Sequence, residues 1–181
     1  RVKAIGACSW TNPEGELTQL LSDNEIYNLT IPKGTLTPEE RQVINNHISV
    51  TIKMLESLPY PKYLRQVPEY AGAHHEHMDG SGYPRRLTRD QMSIPARIMG
   101  IADIFEALTA RDRPYKKGKT LSESLFILGK MKLDRHIDPD LFDLFIRSGV
   151  YRHYAEHFMK ADQIDEVNES GIPGFHPDPS P

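Results

Sequence analysis

HHEHMDGSGYP, residues 74–84, crowds three imidazoles and two carboxylates into six residues and then turns through two glycines and a proline. The stretch decides how its surroundings read. Upstream, Val67 opens a segment of helical character that is expected to run into the histidines, with Gly80 and Gly82 closing it because glycine tolerates the positive φ of a tight turn. Downstream, Ser93-Ile94-Pro95 offers a capping hydroxyl followed by a proline in the first helical turn. The helix it predicts has Ile94, Ile98, Ile101, Phe105 and Leu108 as its buried stripe, with Asp103 off the centre of that stripe.

Working outward, Thr37-Pro38-Glu39-Glu40 is a capping box, and a helix should follow to about Leu58. Val43, Ile44, His47, Thr51, Met54, Leu55 and Leu58 recur at three- and four-residue steps, which places His47 on the apolar face. Pro59 and Pro61 end it. Thr120-Leu121-Ser122-Glu123 is another capping box, and Asp138-Pro139 starts a helix stopped by Gly149. An amphipathic piece covers Tyr151 to Lys160. Residues 1–36 carry Gly, Pro, Asn and Thr at short intervals, with one brief helix near Asp23 to Leu29, and residues 168–181 end in GIPGFHPDPSP. No convincing strand and no repeat is visible. The expectation is an all-α helical bundle over 37–167, a partly extended N-terminal segment over 1–36 and a loose tail over 168–181.

Composition bounds the function. The chain has 181 residues, 38% of them apolar, enough to build a core without disulfides. A net charge of −3 argues against nonspecific DNA binding, so any anion site must be local. A single cysteine, Cys8, cannot form an internal disulfide and fits a reducing compartment. No apolar run approaches the roughly 20 residues of a membrane span. A cytoplasmic location is the expectation.

The cluster itself points to metal chemistry. Neighbouring histidines on a helix diverge by about 100°, so His74 and His75 would serve two adjacent ions, or one ion and a substrate. Imidazole and carboxylate without thiolate select Mn, Fe, Ni or Zn. Taken singly, His47 and Asp103 are as readily explained as hydrogen-bonded structural groups, and the His74–His75 pair as a solvated helix end. Arg111, Arg113, Lys116, Lys117 and Lys119 form the densest basic run, which suits phosphate as well as an ordinary solvated loop. His77 is expected to be solvated. His153 and His157, four apart, read as a surface pair with no identifiable carboxylate partner.

Taken in order, IPKGTLTPEE, the helix with His47, HHEHMDGSGYP, ARIMGIADIFEALT and RPYKK resemble the HD-GYP family of bacterial cyclic di-GMP phosphodiesterases, over roughly Asn28 to Met131. The resemblance implies an HD-domain fold and a centre of two or three divalent ions, Fe or Mn before Zn or Ni. It implies His47, His74, His75 and Asp103 as metal ligands. Gly82, Tyr83 and Pro84 would be the loop lining the substrate, with Tyr83 contacting the dinucleotide and Arg113 and Lys116 holding its phosphates. Glu76 and Asp79, on fixed letters of the pattern, are expected to support the ligand imidazoles by hydrogen bonds, and the nucleophile would be a metal-bound water. The implied partners are cyclic di-GMP, sensory domains of the same polypeptide, GGDEF-domain proteins and a second copy in a homodimer.

One element of the pattern is missing. The family's His-Asp dipeptide, whose aspartate bridges the metals, occurs nowhere in the chain, and NEIYNLT before Ile31-Pro32 supplies neither ligand nor lysine. The chain begins with Arg1, so one expectation places the HD half upstream in a longer protein, with residues 1–30 ending an insertion. The other is a degenerate relative that kept the GYP half and binds the nucleotide or a partner without cutting it.

Overall fold

A computed structural model describes residues 1–32, 34, 36–111 and 118–177. Two compact units divide the chain, Arg1–His47 and Ile48–Pro181, and the division falls inside one continuous helix.

In the first unit, helix α1 (Val2–Gly6) leads into an antiparallel hairpin of β1 (Ser9–Thr11) and β2 (Leu17–Gln19), with Trp10 opposite Thr18. This hairpin departs from the strand-free expectation. Its turn is built locally: the Asn12 carboxamide oxygen accepts from the Glu16 N–H at 2.7 Å, and Gly15 takes a φ of +87°. Both strands are three residues long and exposed along their length, so no alternation of apolar and polar residues announced them. Helix α2 (Asp23–Leu29) begins with a complete capping box between Ser22 and Glu25. It packs on α1 at Gly6, where an added Cβ would lie 2.8 Å from Ile26 Cδ1. Helix α3 (Pro38–Glu56) starts as its sequence predicts, with the Thr37 N–H donating to Glu40 and the Glu40 N–H donating to the Thr37 hydroxyl.

The second unit comprises the end of α3, then α4 (Val67–Gly72), α5 (Ile94–Thr109), α6 (Leu121–Leu133), α7 (Pro139–Arg147) and α8 (Val150–Phe158). Its core is Ile101 and Phe105 of α5, Leu121, Leu125 and Leu128 of α6, Phe142 and Ile146 of α7, and Tyr151 and Ala155 of α8. Full burial of such side chains contributes about 1.5–3 kcal/mol each. Ile172 and Phe175 enter the same core, so the segment expected to be a loose tail is docked at least that far. Capping hydroxyls and carboxylates begin α5, α6 and α7 at Ser93, Thr120 and Asp138.

The buried faces differ from the expected apolar stripes, whereas the helix starts match. On α5 the buried residues are Ala96, Ile101, Phe105 and Thr109, whereas Ile94 and Ile98 are exposed. On α3 only Ile48 and Ile52 are buried, and Val43, Ile44 and Met54 face outward along with His47; the helix ends at Glu56, and Leu58 beyond it is exposed as well. Ile52 packs against Gly72 of α4, whose added Cβ would lie 2.7 Å from Ile52 Cγ1. Among the described residues no helix is long and apolar enough to cross a membrane.

The junction of α5 and α7 is held by charge. Asp138 is fully buried and uses one carboxylate oxygen, Oδ1, to cap α7, accepting from the Asp140 and Leu141 N–H groups at 3.0 and 3.1 Å. It also accepts from Arg89 Nε at 2.8 Å and from Arg97 of α5. Burial pushes its pKa upward, but Arg89, the Leu141 amide and Arg97 together outweigh burial and leave it below the ordinary value. A folded-state pKa below that of the unfolded chain means that the unfolded state binds more protons on acidification, so this stabilisation is complete above about pH 5 and is lost as pH falls through the folded value. Asp138→Asn keeps an N-cap but leaves Arg97 facing a neutral partner. It is expected to cost about 3 kcal/mol at pH 7 in urea unfolding, with the difference from the parent protein shrinking below pH 4; equal stability at pH 7 would refute the assignment.

Candidate metal centre in the loop after helix α4

Helix α4 ends at Gly72, before the histidines, so His74 and His75 lie in a turn. Their rings do not diverge as on a helix but sit with centroids 4.1 Å apart. His74 Nδ1 lies 2.7 Å from the Ala71 carbonyl, which can only accept; that nitrogen carries the proton and Nε2 keeps its lone pair for a cation. The His75 ring stacks on Tyr83 at 4.8 Å with 18° between planes, and the Tyr83 N–H donates to the His75 carbonyl at 3.2 Å. Helix α5 passes close by, since a Cβ at Gly100 would lie 3.5 Å from the His74 carbonyl oxygen. One turn further along α5, Asp103 bears on Tyr83: burial first, and the negative charge of Asp103 second, raise the phenol's pKa and keep it a neutral donor at pH 7.

Within the second unit, His74, His75 and Tyr83 share one turn and its loop, and Asp103 lies on α5, one turn beyond the Gly100 that approaches His74. His47 is the last residue of the first unit, exposed on α3, with Nδ1 held by the Ile44 carbonyl. Arg113 and Lys116 lie outside the described residues. Two other members of the basic run are engaged: Arg111 pairs with Asp162, and Lys119 with Glu123 at 3.5 Å. The ends of the connection between α5 and α6 are tied by buried Gln163, whose amide donates to the Thr109 and Lys119 carbonyls, each at 2.9 Å.

The loop is held by residues whose partners sequence reasoning assigned differently. Glu76 is buried and accepts from the Arg85 N–H at 2.7 Å with one oxygen and the Leu87 N–H at 2.9 Å with the other. It closes the chain leaving Tyr83-Pro84 back onto the histidines, where support of the imidazoles was expected. Asp79 accepts from the Ser81 N–H at 2.9 Å, and these bonds to Ser81 lower its pKa. Gly80 has the predicted positive φ, +79°, but Gly82 serves by close approach instead: an added Cβ would lie 2.4 Å from the His77 nitrogen and 2.5 Å from Glu76 Cα. His77, expected to be solvated, is half-buried, packs its ring 3.7 Å from that of His136 and hydrogen-bonds Ser81 Oγ. Nothing local in the sequence marks His136, which comes from the turn between α6 and α7. Burial, then the charge of His77, lower its pKa.

The HD domain family matches residues 20–141, and the chain belongs to that family. Curated relatives include a 3'3'-cGAMP-specific phosphodiesterase of Vibrio cholerae, 38% identical over 60% of this chain and 23% of the relative. A second 3'3'-cGAMP-specific phosphodiesterase of that organism is 43% identical over 45% of this chain and 19% of the relative. A cyclic di-GMP phosphodiesterase of Thermotoga maritima is 33% identical over 66% of this chain and 32% of the relative. The chain therefore spans about a fifth to a third of the length of these relatives.

Glu76→Gln removes one acceptor oxygen while preserving shape. Leaving one of the two buried N–H groups without a partner should cost about 1–3 kcal/mol. Hydrogen exchange should accelerate at the Arg85 and Leu87 amides and leave the α6–α7 core unchanged; uniform acceleration through the unit would contradict a local clamp.

Proposed function

We propose that this chain is part of an HD-GYP phosphodiesterase that opens guanine-containing 3',3'-cyclic dinucleotides, with cyclic di-GMP as substrate. The observation that carries the reading is the grouping of His74 and His75 with Tyr83 and Asp103 in one loop and one facing helix turn. His74, His75 and Asp103, joined by His47 from α3, would hold divalent ions; Fe or Mn suits the all-nitrogen-and-oxygen donor set, with Zn or Ni as alternatives. The donors fit, because His74 donates Nδ1–H to the Ala71 carbonyl and thereby leaves Nε2 as a ligand atom. Such ions would supply a hydroxide near neutral pH and charge to balance the phosphate oxygens.

The chain's own residues have separate duties. Tyr83, a neutral phenol stacked on His75, donates to the dinucleotide, and Gly82 and Pro84 shape the rim beside it. Arg113 and Lys116 bind the phosphates as forked and point donors respectively. Glu76 holds the loop in place by its two backbone bonds. In the cell this activity belongs in the cytoplasm, downstream of sensory domains of the same polypeptide and of GGDEF-domain proteins. The two 3'3'-cGAMP-specific relatives make that dinucleotide the second substrate to test.

A second reading has a specific observation behind it: the chain contains no His-Asp dipeptide, so its own donors include one carboxylate where a bridged pair of ions needs more. On that reading the module binds the dinucleotide through Tyr83 and Arg113 without cutting it.

Protein carrying this chain, loaded with Mn2+ or Fe2+, is expected to linearise cyclic di-GMP in a chromatographic assay, and His75→Ala should slow it at least about a hundredfold, beyond the 10–100-fold typical of losing a supporting partner. An unchanged rate in His75→Ala overturns the metal reading. Calorimetry with Arg113→Glu separates the two readings: binding without turnover, weakened by this change, identifies the receptor, and equal affinity removes the basic loop from either.

A further inference from the structure

Helix α8 presents a second set of metal-binding side chains, remote in sequence from the loop after α4 and not used by the proposed reaction. Tyr151 and Ala155 anchor one face of this helix in the core and are essentially inaccessible. Residues two positions further along a helix point about 200° away, which sends His153 and His157 to the opposite, solvent-facing side; Glu156, three residues after His153, joins them there. One ligand atom from each of the three lies within 4.8 Å of the others, and all three residues are exposed. The carboxylate that the spacing of the histidines alone left unidentified is therefore Glu156.

Three details favour coordination over a chance surface pair. His157 Nδ1 lies 2.8 Å from the His153 carbonyl, which can only accept, so this nitrogen is protonated and Nε2 presents its lone pair. The two rings are already side by side, with centroids 4.2 Å apart. Glu156 makes no ion pair among the described residues, while its neighbour Arg152 is engaged by Glu169 at 2.5 Å. Two donors at about 2.1 Å from one ion stand no more than about 4.2 Å apart, so a small rotation of solvent-exposed side chains closes the shell without disturbing the anchored face. The order His-x-x-Glu-His on one helix also supplies both imidazole ligands in a class of zinc enzymes.

We infer that His153, Glu156 and His157 form a solvent-open site for a borderline divalent cation, Zn2+ or Ni2+, with water completing the coordination. Two imidazoles and one carboxylate match that metal class, and three protein ligands leave a position open. The site is independent of the phosphodiesterase reading and stands or falls without it.

The full chain, stripped with a chelator, is titrated with Zn2+ in competition with a chromophoric chelator. The double variant H153A/H157A is expected to bind one ion fewer than the parent, with its metal-free unfolding curve unchanged because the altered residues are exposed. E156Q should weaken the same site about tenfold or more, at least the loss seen when a supporting group is removed from a metal site. To separate this site from the loop after α4, the titration is repeated in a His75→Ala background: the α8 ion should remain, and the His157 imidazole nitrogen resonance should shift on its addition. Unchanged stoichiometry in H153A/H157A overturns the inference, as does loss of all Zn2+ binding in His75→Ala.

Discussion

A carboxylate placed out of water must be satisfied by hydrogen bonds or its burial costs several kilocalories per mole, and Glu76 meets that demand with the backbone of its own loop. Its two oxygens reach the Arg85 and Leu87 amides, nine and eleven residues on, so the chain between must fold back. The fold-back is tight enough that Gly82 passes against the backbone of Glu76 and His77 with no room for a Cβ. This approach sets Tyr83 parallel to His75. The orientation of the aromatic donor is thus a consequence of a buried acid and a missing side chain, and neither need touch a substrate to control it.

That loop is in turn held from two sides. Ala73, Met92 and Ala96 form a small buried cluster, with Met78 and Leu87 of the loop packed against it. On the other side the Met78 N–H donates to the Arg135 carbonyl at 2.9 Å, and the His77 ring lies against His136. Asp138, two residues beyond His136, ties the same turn to Arg89 and to Arg97 of α5. The helix carrying Asp103 and the turn behind the histidines are consequently joined through one buried ionic junction. Charge and packing cooperate here: the apolar cluster is too small to fix the loop alone, and the ionic junction supplies direction that apolar contacts lack.

Helix starts were legible in the sequence because a cap is a local device. Thr37, Ser93, Thr120 and Asp138 each meet a backbone N–H within three residues, and no distant partner is needed. Buried faces were less legible, because periodicity shows that a stripe exists and not how much of it is covered; hence Ile94 and Ile98 of α5 lie in solvent while the smaller Ala96 is buried. The hairpin of β1 and β2 escaped because its strands are short and bury nothing. At the candidate centre the residue types were readable, but their relations were not. Glu76 could be seen to matter, yet its partners lie across a reversal of the chain, and His136 is fifty-nine residues from His77 in sequence.

The carboxylates of this region divide by what already occupies them. Glu76 gives both oxygens to amides, Asp79 is drawn to Ser81, and Asp138 caps a helix while meeting two guanidinium groups. An acid so engaged would lose those bonds on turning to a cation, and the turn, loop or helix end that it stabilises would loosen with it. Asp103 differs: it is exposed on α5, its negative charge reaches Tyr83, and among the described residues it holds no turn or cap. The imidazoles follow the same logic in reverse, since the backbone bond at His74 Nδ1 occupies the nitrogen that is not needed and leaves the other as a lone-pair donor. On the proposed reading, the structural acids stay in place, and Asp103 with an imidazole fixed by its own backbone would serve as donors to a cation.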